Sequence, residues 1–157
     1  MSAERYVNTT EADNRMVWDG QKAGHYEVWY ATFNHRPTQT GFWIRYTLES
    51  PRDGHGSPYC QLWFAFFDGL DPSQNIALNR RFPISALEHQ GTPFELRMGP
   101  AELRHTRLRG TLCDEGCRHT AEEHGVPGRE AQRSPIPPVS WDLELAPCAF
   151  THKHLPA

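Results

Sequence analysis

Two cysteines and two histidines lie close together in one segment of this sequence, and these are residue types that bind zinc. Cys113, Cys117, His119 and His124 fall within twelve consecutive positions, and Zn²⁺ takes four such ligands tetrahedrally. All four crowd one polar segment, whereas zinc motifs usually hold two well-separated pairs. The segment therefore has two interpretations, a zinc site or a variable surface loop, and we predict no metal.

Other short catalytic signatures are missing from the sequence. It has no Gly-x-Ser-x-Gly nucleophile elbow, no phosphate-binding glycine loop and no dinucleotide-binding fingerprint. Cys60 lies inside an aromatic segment, where a cysteine is more often a small packed hydrophobe than a nucleophile. We predict no cofactor.

The composition excludes several classes of partner. The chain has 157 residues, with 16 Lys and Arg against 19 Asp and Glu, a formal charge of −3. It therefore lacks the basic excess of a surface that binds nucleic acid or anionic membranes. No stretch approaches the roughly 18 consecutive apolar residues of a membrane span, and residues 1–5 lack the apolar core of a signal peptide. We expect a cytoplasmic protein whose four cysteines are thiols.

Three aromatic segments near the start of the chain predict strands. They cover residues 25–33, 41–49 and 59–67, and turn-forming residues separate them. Weaker candidates follow at residues 76–83, 94–98, 101–112 and 139–145, which gives about seven strands. Short strands at regular intervals predict an all-β sandwich or barrel. We prefer the antiparallel barrel, because closure removes exposed strand edges.

Polar stretches set the expected domain boundaries. Residues 1–23 are mostly polar and predict an N-terminal extension or cap. Residues 24–157 predict one barrel domain with a long polar surface loop at residues 113–138. A single domain fits the chain length, since domains usually contain roughly 100 to 200 residues.

Both sides of the three early strands are apolar, although alternate residues point in opposite directions. A barrel in water needs only an apolar interior, so the outward side must be covered by a helix, another domain or another subunit. The interior is filled either by large side chains or by a small apolar ligand. The two sides are Tyr26, Val28, Tyr30 and Thr32 against Glu27, Trp29, Ala31 and Phe33; Phe42, Ile44, Tyr46 and Leu48 against Trp43, Arg45 and Thr47; and Cys60, Leu62, Phe64 and Phe66 against Gln61, Trp63, Ala65 and Phe67.

Four segments together resemble a known family. They are YEVWY at residues 26–30, FWIRYTL at 42–48, LWFAFFD at 62–68 and SWDLEL at 140–145. Their order and spacing are similar to the N-terminal half of lipocalin-like proteins related to hydroxyneurosporene synthase (carotenoid 1,2-hydratase) and the AttH group. The resemblance covers most of the chain from Gly24 to Pro156. It implies a lipocalin-like (calycin) β-barrel of about seven to nine strands.

The resemblance also implies partners and a function. The family usually holds two such barrels side by side in one longer chain, so we expect a homodimer or a second barrel domain. Family members hydrate or cyclise polyenes and other largely apolar substrates. The leading expectation is a protein that binds a hydrophobic small molecule of isoprenoid, carotenoid or polyketide type. The alternatives are a hydratase or cyclase, and a non-catalytic remnant or protein-interaction module.

A hydratase of this kind needs an acid within an aromatic strand. Protonating an alkene takes a neutral carboxylic acid in a dry pocket, where burial raises the pKa of the carboxyl group. Glu27, Asp142 and Asp68 are the candidate catalytic residues. Asp68 precedes Gly69 and also suits a turn. Asp142 could instead face solvent or pair with an arginine such as Arg45.

Residues of the same strands are the expected ligand contacts. Arg45 is the cation among them, and its guanidinium could hold a polar head group or stack on a ring. The alternative for Arg45 is an ion pair with a carboxylate on a neighbouring strand, such as Glu27. The predicted ligand-binding residues are Trp29, Phe33, Trp43, Arg45, Tyr46, Trp63 and Phe67.

Overall fold

The computed structural model describes residues 14–113 and 137–145, and this part of the chain forms two antiparallel sheets. The first sheet contains β1 (His25–His35), β2 (Thr40–Ser50), β3 (Tyr59–Asp68) and β4 (Ile76–Pro83). The second contains β5 (Leu87–Gly91), β6 (Phe94–Met98), β7 (Ala101–Arg104), β8 (Arg107–Leu112) and β9 (Val139–Glu144). Strands that follow one another in each sheet are paired, which confirms the predicted all-β, antiparallel fold.

Two short 3-10 turns lie at the same end of the first sheet, which we call the turn end. Arg36–Thr38 joins β1 to β2, and Pro37 suits its second position because proline already holds the φ angle that the turn needs. Pro72–Gln74 precedes β4, and the Asp71 side chain caps it by accepting the Ser73 N–H at 3.1 Å. A third 3-10 turn, Ile84–Ala86, carries the chain from the first sheet to the second.

The core lies between the sheets. The inward side of the first sheet is the side that carries Trp29 on β1, Tyr46 on β2 and Leu62 on β3, since these three residues are paired in register. Large side chains fill much of the interior, because residues from both sheets are wholly buried. They include Ile44, Tyr46, Leu48, Leu62, Leu78, Leu96, Met98 and Leu108.

Residues 14–24 form a strap against the inward side of β1. The Trp29 indole N–H donates to the Asn14 carbonyl at 2.8 Å, and Trp18 is buried with 8% of its surface exposed. The strap also touches the second sheet, because a Cβ added at Gly91 of β5 would lie 3.0 Å from Arg15 Cδ. Part of the predicted polar extension is therefore packed on the fold, while residues 1–13 lie outside the described residues.

The strand boundaries agree with the sequence in most places. The predicted strands at residues 76–83 and 94–98 match β4 and β6. The predicted strand at residues 101–112 is divided by a turn at His105 and Thr106 into β7 and β8. β5 was not predicted because its sequence, LEHQG, is polar and mostly exposed. The predicted loop at residues 113–138 lies almost wholly outside the described residues.

The described strands form two facing sheets rather than one continuous ladder. Neither β4 and β5 nor β1 and β9 are joined by strand pairing within residues 14–113 and 137–145. In the same part of the chain, no helix has the length and apolar character needed to cross a membrane.

Candidate functional site

A cleft of about 460 Å³ opens at the turn end of the first sheet. Small-molecule sites in proteins usually occupy roughly 300 to 1,000 Å³, so the cleft has a suitable size for one. The connection between β1 and β2 forms one wall, and the end of β3 forms the other. The lining residues are Thr32, Phe33, Asn34, His35, Arg36, Gln39, Thr40, Gly41, Phe42, Phe67, Asp68 and Gly69.

Stacked aromatic rings lead from this cleft into the core. Phe33 and Phe42 are paired across the β1–β2 hairpin, and their ring centroids are 4.6 Å apart with an angle of 18° between the planes. Phe64 continues the series at 6.3 Å from Phe42, and Trp141 of the second sheet follows at 5.8 Å from Phe64. Stacked rings present flat apolar surfaces, so the floor of the cleft suits a planar apolar group.

Polar groups surround the mouth of the cleft. His35 is exposed, and its Nδ1 lies 2.7 Å from Thr38 Oγ1. The exposed Asn34 and Arg36 side chains stand on the same connection. The site therefore combines an apolar floor with a polar rim, which suits an amphipathic ligand whose polar end faces water.

Asp68 is the candidate acid that lines the cleft. Its Oδ1 atom accepts the backbone N–H groups of Leu70 at 2.8 Å and Asp71 at 3.0 Å. These are the bonds of a turn residue, because aspartate commonly accepts from the backbone two residues further on. The carboxyl group holds the β3–β4 connection that forms one wall of the cleft.

Glu27 lies at the opposite end of the first sheet and holds the strap. Its Oε1 accepts the backbone N–H of Val17 at 3.0 Å and of Trp18 at 2.6 Å, and lies 2.6 Å from His25 Nε2. Its Oε2 also accepts from Val17, at 3.1 Å. Glu27 is thus a half-buried carboxylate surrounded by donors, an arrangement that anchors a backbone segment.

Asp142 lies apart from both the strap near Glu27 and the cleft near Asp68. It is exposed on the outward side of the second sheet, where its two oxygens accept from Arg107 at 2.8 and 2.7 Å. This hydrogen-bonded pair lowers the pKa of Asp142 below its usual 3.8. The predicted arginine partner of Asp142 is therefore Arg107 rather than Arg45.

The three candidate acids are dispersed rather than gathered into one site. Glu27 is paired with Leu48 and Asp68 with Thr40, so eight residues of β2, roughly 27 Å, separate them along the sheet. Asp142 lies on the other sheet. Of the three, Asp68 is the one beside the cleft.

The predicted ligand contacts are divided between the two sides of the first sheet. Trp29, Phe33 and Tyr46 point inward, whereas Trp43, Arg45 and Trp63 lie on the outward side with their paired neighbours. Phe67 belongs to the outward side but also reaches the cleft at the end of β3. Phe33 and Phe67 are the members of the predicted set that line the cleft.

Arg45 stacks on rings instead of pairing with an acid. Its guanidinium carbon is 5.6 Å from the centre of the Trp43 ring and 5.8 Å from that of Tyr26. Glu27 faces the other side of the sheet, so the suggested Arg45–Glu27 ion pair is replaced by these cation–π contacts.

Two buried groups in the core are unsuited to proton transfer near neutral pH. Burial raises the pKa of the Tyr46 hydroxyl well above its usual 10.0, and the nearby Trp141 indole opposes this effect only in part. The same hydroxyl donates to the Glu102 carbonyl at 3.2 Å. Burial also raises the pKa of the Cys60 thiol to about 11, which fits the prediction that Cys60 is a packed hydrophobe.

The candidate zinc ligands fall largely beyond what the structure describes. Cys117, His119 and His124 are outside the described residues, and Cys113 is half-buried with its Sγ 3.7 Å from an Arg80 nitrogen. Elsewhere in residues 14–113 and 137–145, no three His, Cys, Asp or Glu side chains are grouped as metal ligands.

Sequence reasoning missed most of the cleft. Phe42 and Gly41 were assigned to the second predicted strand but not to a ligand site, and His35 was assigned to a turn. Pairing the strands outward from the Arg36–Thr38 turn places Phe33 opposite Phe42. That register was the signal that could have located the site.

Comparisons with known proteins give relatives but no function. No family model matches the chain, and no solved structure matches it. Two curated proteins match, both named only as uncharacterized, from the CDC 1551 / Oshkosh and ATCC 25618 / H37Rv strains of Mycobacterium tuberculosis. Each is 31% identical over 142 residues, which cover 84% of this chain and 36% of the relative. The chain thus spans about a third of the length of these relatives.

Proposed function

We propose that this chain is a lipocalin-like module that binds an amphipathic molecule with a flat apolar body in the cleft at the turn end. The observation that carries the proposal is the stacked Phe33–Phe42 pair on the floor of a cleft of about 460 Å³. A conjugated or polycyclic apolar group would lie against these rings, and its polar end would face the rim beside His35 and Arg36.

Binding is better supported than turnover by the placement of the acids. Of Glu27, Asp68 and Asp142, Asp68 alone lines the cleft, and its Oδ1 already accepts two backbone N–H groups. A proton donor for an alkene would have to be neutral and directed at the substrate. We therefore propose a carrier or sensor of an isoprenoid, carotenoid or polyketide-like molecule.

The proposal also includes the surroundings of the cleft. The two sheets would act as a calycin-like barrel in which the strap covers one end, held by Glu27, and the turn end stays open. We also propose that another protein surface, either a second copy of this chain or a second barrel domain, covers the outward side of the first sheet. A cytoplasmic location remains part of the same proposal.

Titration with cis-parinaric acid, a fluorescent polyene, tests the proposal. Phe67 lines the cleft and is 51% exposed, so Phe67→Ser should leave the fold intact. Losing most of one ring contact is worth about 1 to 2 kcal/mol, so the dissociation constant should rise roughly 5- to 30-fold. The ligand, recovered afterwards, should be chemically unchanged.

The matched control is Leu70→Ser, which removes an apolar side chain that is 71% exposed and does not line the cleft. It should bind parinaric acid as the unmodified chain does. Equal affinity of the Phe67→Ser variant and the unmodified chain, or no saturable binding by either, would contradict the proposal. Hydration of the polyene would instead support the hydratase alternative, and Asp68→Asn would then identify the acid.

A further inference from the structure

The outward sides of the two sheets have opposite character. The second sheet presents charged side chains that are paired with one another: Arg104 lies 2.7 Å from Glu102 and 3.1 Å from Glu95, and Arg107 is paired with Asp142. Such a side is stable in water without a partner. The outward side of the first sheet requires a different explanation.

We call the outward side of β1–β4 the aromatic face. Its side chains include six aromatic residues and two arginines, one carboxylate, and no lysine. Protein interfaces are enriched in Tyr, Trp, Phe and Arg and depleted in Lys, Glu and Asp relative to other surfaces. Its residues are Tyr26, Val28, Tyr30, Thr32, Asn34, Gly41, Trp43, Arg45, Thr47, Glu49, Tyr59, Gln61, Trp63, Ala65, Phe67, Ala77, Asn79, Arg81 and Pro83.

Several polar atoms of the aromatic face are hidden from water. Arg45 Nε, Thr47 Oγ1 and Trp63 Nε1 are buried and have no hydrogen-bond partner within the described residues. Tyr26 and Tyr30, in contrast, are 51% and 66% exposed. The surface available to a binding partner is therefore mainly aromatic and aliphatic. Such a surface suits contact with another protein better than contact with a sugar or nucleotide, whose recognition needs exposed hydrogen-bond donors.

Both arginines of the face are covered by rings. Arg45 lies near Trp43 and Tyr26, and the Arg81 guanidinium carbon is 3.7 Å from the centre of the Tyr59 ring. Glu49 accepts a hydrogen bond from the Tyr59 hydroxyl. Because these charges already have ring or hydroxyl neighbours, bringing two such faces together would not expose bare like charges to each other.

The flat area of the face comes close to what each partner of a standard interface buries. Four strands about 4.8 Å apart span roughly 19 Å. The strands contain 8 to 11 residues, roughly 27 to 37 Å of length at about 3.4 Å each. The flat area is then roughly 500 to 700 Å², and side-chain relief adds to it, against about 800 Å² per partner in a standard interface.

We infer that two copies of this chain associate through their aromatic faces about a two-fold axis. The charged outward side of the second sheet does not complement the aromatic face, so contact between two aromatic faces is favoured over packing of one outward side on the other. The result is sheet-on-sheet packing at about 10 Å, as in β-sandwiches. The inference narrows the proposed covering of this face to one occupant and does not depend on ligand binding in the cleft.

Sedimentation velocity on the full chain, from low micromolar to near-millimolar concentration, tests the inference. The unmodified chain should reach twice its 18.0 kDa mass as the concentration rises. Tyr30→Lys places a charge midway along the edge strand β1 of the face, next to its paired neighbour Arg45, and should weaken association at least tenfold. Ser140→Lys adds the same charge to the exposed outward side of the second sheet and should leave association unchanged.

The outcomes separate this inference from the proposed function. A monomer at every concentration, or a dimer that Tyr30→Lys does not weaken, would overturn the inference, while parinaric acid binding by the Tyr30→Lys variant would still support the cleft. If circular dichroism shows that Tyr30→Lys is unfolded, hydroxyl-radical footprinting of the unmodified chain decides the question. Tyr26 and Tyr30 should become protected as the concentration rises, and unchanged labelling would overturn the inference.

Discussion

Carboxyl groups of this protein differ in role because their neighbours differ. Glu27 accepts hydrogen bonds from backbone N–H groups of the strap, and Asp68 accepts them within a turn. Asp142 forms a hydrogen-bonded ion pair with Arg107 at the surface. The sequence marked all three for the same reason, that each stands beside aromatic residues. Adjacency in sequence does not reveal which backbone amides a carboxylate will meet in the fold, and here those amides decide the role.

Glu27→Gln tests whether this residue is an anchor. The amide keeps the shape but removes the charge, and one of its two polar ends is a donor that cannot accept from Val17 or Trp18. We expect a loss of about 1 to 3 kcal/mol in the free energy of unfolding. Urea denaturation measures it.

Glu88→Gln is the control, because Glu88 is exposed on β5 and should change stability by less than about 0.5 kcal/mol. The strap should also be cleaved faster by trypsin at Arg15 or Lys22 in the Glu27→Gln variant. Equal stability of the Glu27→Gln variant and the unmodified chain would show that the strap does not depend on this carboxylate.

Glycine has a packing role in the second sheet. Gly110 of β8 is paired with Trp141 of β9. An added Cβ would lie 2.6 Å from Trp141 Cζ2 and 2.7 Å from Ala101 Cβ. The missing side chain makes room for the Trp141 ring, which ends the aromatic series that begins in the cleft.

Gly110→Ala should therefore destabilise the protein. An added methyl group that meets a ring and a neighbouring strand costs about 1 to 3 kcal/mol, even though alanine suits a strand as well as glycine does. Thermal unfolding monitored by circular dichroism should show a lower midpoint. Ser140→Ala, on the exposed side of the adjoining strand, should leave the midpoint nearly unchanged, and an equal effect of the two changes would contradict the packing explanation.

Strands with strong residue preferences could be predicted, and polar strands could not. Even the weaker candidates Ile76–Pro83 and Phe94–Met98 are strands in the structure, and both contain several large apolar residues. Leu87–Gly91 forms a strand because it pairs with β6, and its own exposed Glu, His and Gln residues give no sign of it. Tertiary pairing outweighs local preference at such a position.

The site was only partly predictable for a related reason. Alternation correctly divided the strand residues into two sides, but both sides are apolar, so the sequence could not show which side faces the core. Phe33 and Phe67 were expected to contact a ligand and do line the cleft. Trp43 and Trp63 were placed in the same set, yet they lie on the outward side of the first sheet, because their residue types are the same as those of the core side.

At the scale of the whole molecule, the two sheets share one core. Buried residues of the first sheet such as Leu62 belong to the same cluster as Leu108 of the second. Neither sheet could keep its apolar side away from water alone, so each depends on the other. The 3-10 turn Ile84–Ala86 is the direct link between them in the described chain.

The described fold should consequently unfold in one transition. Leu62→Ala and Leu108→Ala alter different sheets, and each should lower the free energy of unfolding by about 2 to 5 kcal/mol. Tryptophan fluorescence and far-ultraviolet circular dichroism should give coincident urea curves for both variants. Two resolved transitions, one for each substitution, would indicate that the sheets are separately stable.

The unequal outward sides make a single copy of this chain a two-sided particle. The aromatic face is apolar, whereas the outward side of the second sheet carries ion pairs. Facing sheets usually pack about 10 Å apart. On a hydrophobic resin or at an oil–water boundary, such a particle settles with its strands parallel to the boundary and its tyrosines toward the oil. Adsorption would therefore orient the molecules, and a dilute sample would cover such an interface with all copies in the same orientation.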